Sequence, residues 1–499
     1  MSNLAYNIRT VMDFLDPEKQ KKHAIRLIVG YALIGAVLVL ATTILLHRAY
    51  GFGLDREGRV IQNGLLFVSS RPGGADIYVN GQRYRDQTNT RMALPAGQYT
   101  IELRRDGYRN WKRVITAEGS SVSRFDYPFL FPSAFTPDIT KQYSAAPGLA
   151  TQSLDRRWLL VQTPTANEFD IYDLNAEKPI ARPVRVPADI LAADSTTQGW
   201  QVLEWARDDR HVLLRRLYRQ PATTGREYIL FDRENPQESQ NLTVTLGFNP
   251  TTIELRSRNW DQYYAHDANS GVLFTATLKK PTPQPYLQDV LAFTSDEDRV
   301  LYATSQSATA GNVAIRLRQG DRQAYTLRQL PTGTNYVLDL ATYERTLYAA
   351  AGAASENRVF VYRDPFKPLA DKQPAVPVHI LKVANPTYTA FSISGRFVMA
   401  ESGDRFAVYD AETDKNYAYQ TKVALDTPQL HATWMDGFHL AYVGGGKLVV
   451  LDFDGANQQS LMPASAAYIP FFDPDYRAVY TITPQHALTN TPLLTPRDR

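Results

Sequence analysis

The first pattern along the chain is one long apolar segment. The 20 residues from Leu27 to Leu46 carry no charge, and an α-helix of that length spans about 30 Å, the thickness of a bilayer's hydrocarbon core. A cleaved signal peptide has only about 7–15 apolar residues before a small-residue cleavage site, whereas His47-Arg48-Ala49-Tyr50 follows here. The pattern therefore predicts one uncleaved transmembrane helix over residues 27–46.

The charges on either side of this segment predict its orientation. One basic residue, Arg48, follows closely, whereas four precede it, namely Lys19, Lys21, Lys22 and Arg26. By the positive-inside rule, residues 1–26 form a cytoplasmic tail and the chain after about residue 48 is extracytoplasmic. Asp16-Pro17-Glu18 has the N-cap, proline and acid order of a helix start, so the helix is predicted to begin at about Pro17.

Short segments with alternating apolar residues follow and predict β-strands. The segment from Asp76 to Val79 runs into Asn80-Gly81, the residue pair that best suits a two-residue hairpin turn. In the segment from Gln98 to Leu103 the side chains of Tyr99, Ile101 and Leu103 share one face. Four or more such strands predict a compact antiparallel β-sandwich over residues 64–126.

The turns and strand entries of this region carry a recognisable motif. The motif residues are Pro72, Gly74, Ala75, Ile77, Tyr78, Val79, Asn80, Gly81, Leu94, Pro95, Gly97, Tyr99, Gly107 and Tyr108. The region resembles the PEGA domain, an envelope-associated β-sandwich, although Gly73 replaces the family's Glu in the turn that names it. The resemblance implies a module that works at the cell surface, with a structural role for these residues and no catalytic one.

From residue 149 onward a longer pattern repeats: a strand, a polar turn, an apolar strand, and often a third strand that ends in Asp. The turn positions are Arg157, Arg210, Asp261, Arg299, Arg345, Arg396, Phe438 and Arg477. A period of about 40–50 residues with several strands per unit is typical of a β-propeller. We predict seven or eight blades over residues 149–488, with ring closure by a strand that follows Asp138. The repeat loosely resembles the TolB-like and WD40-like propellers.

Two further segments flank the predicted propeller. Residues 127–148 are a linker with a candidate closing strand, and the linker's aromatic residues are Tyr127, Phe129, Phe131 and Phe135. Four exposed aromatic side chains would form an unusual apolar patch, so we expect them to pack between the two domains. The alternative is a partner-binding strip. The Thr- and Pro-rich residues 489–499 are predicted to form a loose C-terminal tail.

Composition and charge narrow the classes of function. The 499 residues include no cysteine, which excludes disulfides, thiolate metal sites and cysteine nucleophiles. The net charge of +3 divides into +2 for residues 1–26, +5 for residues 27–126 and −4 for the rest. An acidic propeller argues against nucleic-acid binding, whereas a basic domain beside a membrane suits anionic lipid headgroups or wall polymers.

No linear motif for catalysis, a metal or a cofactor is found. Residues 444–447 (Gly-Gly-Gly-Lys) and 452–455 (Asp-Phe-Asp-Gly) superficially resemble phosphate-binding and calcium-binding loops, but both lack required residues and are interpreted as turns. The acidic runs at 208–209, 296–298 and 473–475 fall at the repeated blade turn, where short acids bind their own backbone. We therefore assign no catalytic, metal-binding or cofactor-binding residue.

The predicted fold class is all-β, a small sandwich and a propeller behind one transmembrane helix. The predicted function is a membrane-anchored binding or scaffold protein of the bacterial envelope, non-enzymatic, with a protein or cell-wall glycan as partner. The alternative is a propeller-based hydrolase or lyase, which an inward-facing cluster of His and carboxylates in the channel would favour. A sensor that signals through the short tail is a third interpretation.

Overall fold

The computed structural model describes residues 17–49, 52–54, 60–333, 335–427, 429–495 and 498. The chain forms two compact units, Met1–Leu130 and Phe131–Arg499. Most of the predicted cytoplasmic tail, up to residue 16, lies outside the described residues.

The first unit begins with helix α1, Pro17–Ala49. Its start at Pro17 confirms the prediction from the Asp-Pro-Glu sequence. The portion Gln20–Leu46 is long and apolar enough to cross a membrane, a property that a membrane anchor shares with a signal sequence. Its apolar side chains are exposed, so the helix has no protein core to stabilise it.

Two four-stranded sheets complete the first unit. The first pairs β2 with β1, β5 and β8, and the second has the order β4-β3-β6-β7. The strands are β1 (Phe52–Leu54), β2 (Val60–Val68), β3 (Asp76–Val79), β4 (Gln82–Gln87), β5 (Thr90–Pro95), β6 (Gly97–Arg104), β7 (Trp111–Ala117) and β8 (Val122–Phe125). Alternate side chains of both sheets, such as Leu66, Ile77 and Leu103, are fully buried between them.

One feature of the sandwich differs from the prediction of an antiparallel fold. Strand β8 runs parallel to β2, with Leu65 opposite Val122 and Phe67 opposite Arg124. The chain reaches β8 from β7 of the other sheet, so no tight hairpin imposes an antiparallel direction on it. The sandwich is therefore mixed.

The second unit contains eight four-stranded sheets in the part of the chain that the structure describes. Seven sheets take four consecutive strands each, and the eighth has the order β38-β39-β40-β9. The strands of the first four sheets are β10 (Ala150–Gln152), β11 (Trp158–Gln162), β12 (Glu168–Asp173), β13 (Arg182–Arg185), β14 (Thr196–Trp205), β15 (His211–Arg219), β16 (Thr224–Asp232), β17 (Gln240–Asn241), β18 (Thr252–Leu255), β19 (Gln262–Asp267), β20 (Val272–Thr277), β21 (Lys280–Leu287), β22 (Val290–Asp296), β23 (Arg299–Thr304), β24 (Asn312–Gln319) and β25 (Tyr325–Pro331).

The strands of the other four sheets are β26 (Tyr336–Tyr343), β27 (Thr346–Ala353), β28 (Arg358–Arg363), β29 (His379–Lys382), β30 (Tyr388–Phe391), β31 (Phe397–Ser402), β32 (Arg405–Asp410), β33 (Lys415–Gln420), β34 (Thr433–Trp434), β35 (His439–Gly444), β36 (Lys447–Asp452), β37 (Gln459–Pro463), β38 (Phe471–Phe472), β39 (Ala478–Ile482) and β40 (Ala487–Pro492), together with β9 (Asp138–Gln142). Two short helices lie between strands, α2 (Leu242–Leu246) and α3 (Phe366–Ala370). The unit is a β-propeller with eight blades.

The ring is closed by the strand expected after Asp138. Strand β9 pairs antiparallel with β40, although the two are more than 340 residues apart in sequence. Between β10 and β38, the first strands of the first and eighth blades, the Gln152 side-chain amide donates to the carbonyl of Phe472 at 2.7 Å and so joins the two blades. A continuous apolar core that includes Leu159 and Leu488 fills the space between these blades.

The C-terminal boundary corrects one prediction. Thr489 to Pro492 belong to β40 rather than to a loose tail, and Thr491 and Leu493 are fully buried. Threonine suits a strand because its β-branched side chain packs well on a pleated surface. The Thr and Pro content of the segment predicts a tail, but composition carries no information about pairing with the distant strand β9.

The repeated turn residues take the same position in every blade. All eight lie in, or directly beside, the connection between the first and second strands. In three blades the turn arginine binds the aspartate that ends the third strand: Arg157 with Asp173, Arg210 with Asp232, and Arg396 with Asp410. In these three blades the turn arginine and the aspartate at the end of the third strand, both parts of the sequence repeat, thus form one ion pair.

In the seventh blade the turn position holds Phe438, and a histidine at the next position contacts the aspartate that ends the third strand. His439 is buried between Asp436, at 2.8 Å from Nδ1, and Asp452, at 3.4 Å from Nε2. Burial alone would lower the pKa of the imidazole, but the two carboxylates outweigh it and raise the pKa to about 10. His439 is therefore a protonated cation at neutral pH and faces Asp452, the aspartate that ends the third strand.

The arginine–aspartate pairs should differ in their contribution to stability according to burial. In Arg396→Met, the Asp410 carboxylate, 1% exposed, is left without its guanidinium, so we expect the free energy of unfolding to fall by about 3 kcal/mol. Arg157→Met is the matched control, because its pair is 44% and 29% exposed and should cost less than about 1 kcal/mol. Urea unfolding of both variants measures the difference, and equal losses would contradict the interpretation.

Candidate functional site

The PEGA-like motif residues build turns and the core of the sandwich. Asn80 and Gly81 both have positive φ, 49° and 81°, as a type I′ hairpin turn requires. The Asn80 side-chain oxygen accepts the N–H of Thr100 at 2.8 Å, and the Tyr99 hydroxyl donates to the carbonyl of Pro95 at 2.9 Å. Ala75, Ile77, Leu94 and Tyr108 are buried. The structure thus places these residues in the framework and shows no site among them in the described part of the chain.

The aromatic linker residues are mostly inside the protein. Tyr127 packs edge-on against Trp111, with ring centroids 5.9 Å apart, and Phe129 forms a β-bridge with Arg71, so both belong to the sandwich. Phe131 is buried and Phe135 is half-buried. Tyr127, Phe129 and Phe131 therefore offer little exposed surface, and partner binding through this strip stays a prediction.

The acidic turns mostly behave as the sequence predicts. The Asp208 carboxylate accepts the N–H groups of Arg210 and His211, and Asp473 accepts those of Arg477 and Ala478. Asp296 differs, because it ends strand β22 and faces the central cavity. Residues 444–447 form a hairpin turn, as predicted.

The strongest candidate site is the central cavity of the propeller. It has a volume of about 690 Å³ and is lined by the first strands of the second to sixth blades, β14, β18, β22, β26 and β30. Five acidic side chains face it, against two arginines, Arg207 and Arg258; the acids are Glu204, Glu254, Asp296, Glu297 and Asp339. The cavity is therefore polar and predominantly acidic.

Some of these carboxylates also join neighbouring blades. Glu204 accepts the backbone N–H of Leu255 on the next blade. Asp339 accepts the N–H of Phe391 on the next blade at 2.7 Å and its own neighbour's N–H at 2.9 Å. Each such bond satisfies a first-strand donor that has no partner strand on the cavity side. The acids that line the cavity are thus held in place by the ring itself.

Glu204 and Glu254 each keep one oxygen for a ligand. In Glu204, Oε1 accepts the N–H of Leu255, and in Glu254, Oε2 accepts the Ser295 hydroxyl at 3.2 Å. Among the described residues, the other oxygen of each carboxyl has no hydrogen-bond partner. Two positioned carboxyl oxygens on adjacent blades therefore face a cavity large enough for a small ligand or a side chain.

The pKa values of these acids are raised into the neutral range. Burial raises the pKa of Glu204 to about 7, against the opposing effect of the Leu255 N–H. Burial and then the charge of Glu204 raise the pKa of Glu254 to about 8, and burial raises that of Asp339 to about 7. Near pH 7 each carboxyl can therefore donate or accept a proton.

Tyr388 forms part of the cavity wall and connects it to a histidine behind. Its ring stacks on that of His431 with centroids 4.2 Å apart, and His431 Nδ1 lies 2.9 Å from Glu401. Burial raises the pKa of Tyr388 to about 12, so its hydroxyl stays protonated. The cavity thus combines carboxyls, arginines and a phenol, while His431 lies outside the described lining.

A larger groove, of about 1330 Å³, lies between the eighth and first blades. It is lined by two blade turns and by β9 and β40, and it includes Asp473, whose carboxylate accepts the backbone N–H of Arg477 in the same turn. Among the described residues no group of three or more His, Asp or Glu side chains is arranged to hold a metal ion. Neither observation displaces the central cavity as the candidate site.

Sequence reasoning did not identify Glu204, Glu254 or Asp339. A signal was nevertheless present, since each is a single acid with an apolar residue on both sides in a first strand, as in Val-Leu-Glu-Trp and Thr-Ile-Glu-Leu. An acid at that position is costly unless it faces a cavity or a donor. The repeat is defined by its turn residues, whereas these acids lie in the strands before the turns.

The raised pKa values predict how stability depends on pH. In the unfolded chain these carboxyls titrate near 4, whereas in the fold Glu254 titrates near 8, so between about pH 5 and 8 the folded state binds more protons. The free energy of unfolding should therefore fall as the pH rises through this range. In Glu254→Gln we expect this fall to be smaller by about 2 kcal/mol. The whole pKa shift would correspond to a larger free energy, but the side chain faces the cavity, where solvent screens part of it.

Urea unfolding at pH 5, 6.5 and 8 measures this dependence. The matched control is Glu344→Gln, an exposed turn residue outside the cavity lining, which should keep the wild-type slope. A Glu254→Gln protein with the wild-type slope would show that Glu254 is ionised throughout this range.

Comparisons with known proteins match one part of the chain to a family. Residues 63–129 match the PEGA domain model. A search of curated protein sequences found no relative of the chain. The chain is similar to the Cps50 (Swd1) β-propeller domain of Myceliophteria thermophila, at 12% identity over 72% of this chain and 100% of that one, with a TM-score of 0.36.

Two further solved structures are similar. The Dos1 propeller shares 11% identity over 72% of this chain and 96% of its own, with a TM-score of 0.38. The uncharacterized protein lmo1340 of Listeria monocytogenes shares 12% over 67% and 93%, with a TM-score of 0.39. The propeller is established by the eight sheets themselves rather than by these distant likenesses. The chain therefore carries a PEGA domain at residues 63–129, followed by an eight-bladed β-propeller.

Proposed function

We propose that the protein is a single-pass membrane protein of the bacterial cell envelope whose propeller binds a protein or glycan partner in its central cavity. The cavity carries the proposal, because the Glu204 and Glu254 oxygens that face it have no protein partner among the described residues. Carboxyls that the ring holds rigidly lose little conformational entropy when a ligand binds. Hydroxyl, amide and ammonium donors are the groups that such oxygens accept.

The membrane anchor follows from α1 and its flanking charges. The helix is long and apolar enough to cross a bilayer, and four of its five Lys and Arg residues precede the apolar segment, which favours a cytoplasmic N-terminus. A tether of this kind keeps the propeller near one surface and raises the local concentration of any partner there. The PEGA domain match is consistent with an extracytoplasmic module.

A test of the topology can use the absence of cysteine from the chain. Single cysteines replace Lys21, before the apolar segment, and Lys178, on an exposed propeller turn. A membrane-impermeant maleimide should label the cysteine at position 178 in intact, wall-stripped cells, and the one at position 21 only after permeabilisation. The reverse pattern would overturn the proposed orientation, and labelling of both would show that the helix does not span.

Binding in the cavity can be tested by crosslinking in intact cells. Partners recovered with the full-length protein, proteins and glycans alike, are compared with those of Glu204→Gln/Glu254→Gln, and Glu344→Gln is the control. We expect at least a tenfold loss of a defined partner in the cavity variant, since each carboxyl hydrogen bond contributes about 1–2 kcal/mol. Equal recovery from all three proteins would place binding elsewhere.

A second function is favoured by the pKa values near 7 and 8 of Glu204 and Glu254. Two carboxyls in this range are suited to general acid and base catalysis of glycan hydrolysis or elimination. Incubation of isolated wall glycans with the wild-type protein would then release fragments detectable by mass spectrometry, and Glu204→Gln/Glu254→Gln would release none. An intact glycan that binds the wild-type protein supports the binding function instead.

A further inference from the structure

The outer face of the first PEGA sheet has an unusual composition. Strands β1, β2, β5 and β8 contain no acidic residue. Leu66, Val68, Met92 and Leu94 point into the sandwich and are buried. The alternate side chains of β2, β5 and β8 therefore point outward.

These outward side chains form two adjacent rows across the three strands. In the first row Ala93, Leu65 and Val122 lie side by side, and in the second row Arg91, Phe67 and Arg124 do. The first row is apolar, and the second row has an aromatic ring between two cations. Val122 is 61% exposed, and both arginines are exposed.

The two arginines have no acidic partner among the described residues. The Arg124 guanidinium lies over the Phe67 ring, 5.4 Å from its centroid, and no salt bridge of Arg91 or Arg124 is formed within the described chain. The acids nearest to them along the chain, Asp86 for Arg91 and Asp126 for Arg124, lie outside the three strands. The positive charge of this face is therefore not neutralised by the sandwich itself.

The second sheet of the same sandwich provides the contrast. On its outer face Arg83 binds Asp76 at 2.7 Å, and Arg104 binds Glu102 at 2.8 Å. Arg83 is thus paired with an acid on the neighbouring strand β3, and Arg104 with an acid on its own strand β6. The same small domain has one internally neutralised face and one face that is apolar and cationic.

We propose that this apolar and cationic face docks on the anionic lipid surface of the membrane that α1 spans. Arginine beside aromatic and aliphatic side chains that are at least partly exposed is the composition of proteins that lie at the headgroup boundary. The proposal rests on the membrane-anchor part of the proposed function, and it is independent of what the propeller binds.

The chain's own geometry favours a lipid surface as the occupant. Helix α1 ends at Ala49 and β1, the first strand of this sheet, begins at Phe52, and three residues span at most about 11 Å when fully extended. The face is therefore held within reach of the headgroups at all times. Each arginine near an anionic surface should favour the docked state about fivefold, so the pair should favour it about 25-fold.

The experiment uses the full-length protein in nanodiscs, with one environment-sensitive fluorophore on an introduced cysteine. Val122→Cys reports on the docking face, and Val114→Cys is the matched control, because Val114 is 57% exposed on the outer face of the second sheet. Doxyl-labelled lipids quench only a fluorophore that reaches the bilayer. Nanodiscs contain either zwitterionic lipid alone or 30% phosphatidylglycerol.

We expect quenching at position 122 but not at position 114, and only with anionic lipid. Arg91→Gln/Arg124→Gln should shift the docking equilibrium about 25-fold towards the free state, whereas Arg83→Gln/Arg104→Gln should leave it unchanged. Equal quenching at both positions, or the same quenching without anionic lipid, would overturn the proposal.

Two further outcomes separate this proposal from its alternatives. If position 122 is not quenched by lipid but its fluorescence changes with soluble polyphosphate, the face binds a wall-type polyanion and the lipid proposal is wrong. If the protein does not remain with the nanodiscs at all, the anchor fails instead, and that result is visible before any quenching is measured.

Discussion

Everything in the second unit depends on the pairing of β9 with β40. A propeller blade is a four-stranded sheet with two apolar faces, and each face is buried only by the next blade. Without closure, Leu159 on the first blade and Leu488 on the eighth would each lose their shared core. The pairing joins Asp138–Gln142 to Ala487–Pro492, so a strand from before the repeats completes the last of them and no terminal face is left uncovered.

Closure also determines what the centre of the ring can be. First strands have a neighbour strand on one side only, so their remaining N–H groups need other acceptors. Glu204 and Asp339 meet this need by accepting N–H groups from the next blade. The same carboxyls then face the central cavity, where burial raises their pKa values. The bonds that hold the blades together thus also produce the acidic chemistry of the candidate site.

The two units present different kinds of surface to a binding partner. The propeller relies on closure and presents rigid side chains in a cavity, where little entropy is lost on binding. The sandwich is small and presents a flat face whose charge its own strands do not neutralise, next to a helix suited to a bilayer. One unit therefore suits a discrete partner and the other an extended surface.

The sequence by itself determined the elements, because local patterns encode them. The 20 uncharged residues predicted α1, Asn80-Gly81 predicted a hairpin turn, and the period of Arg157, Arg210 and Arg396 predicted the blades. Only the tertiary structure decided the rest, since it depends on which distant strands meet. The strand Thr489–Pro492, the direction of β8 and the convergence of Glu204 and Glu254 on one cavity all arise from partners far away in sequence, which no local pattern specifies.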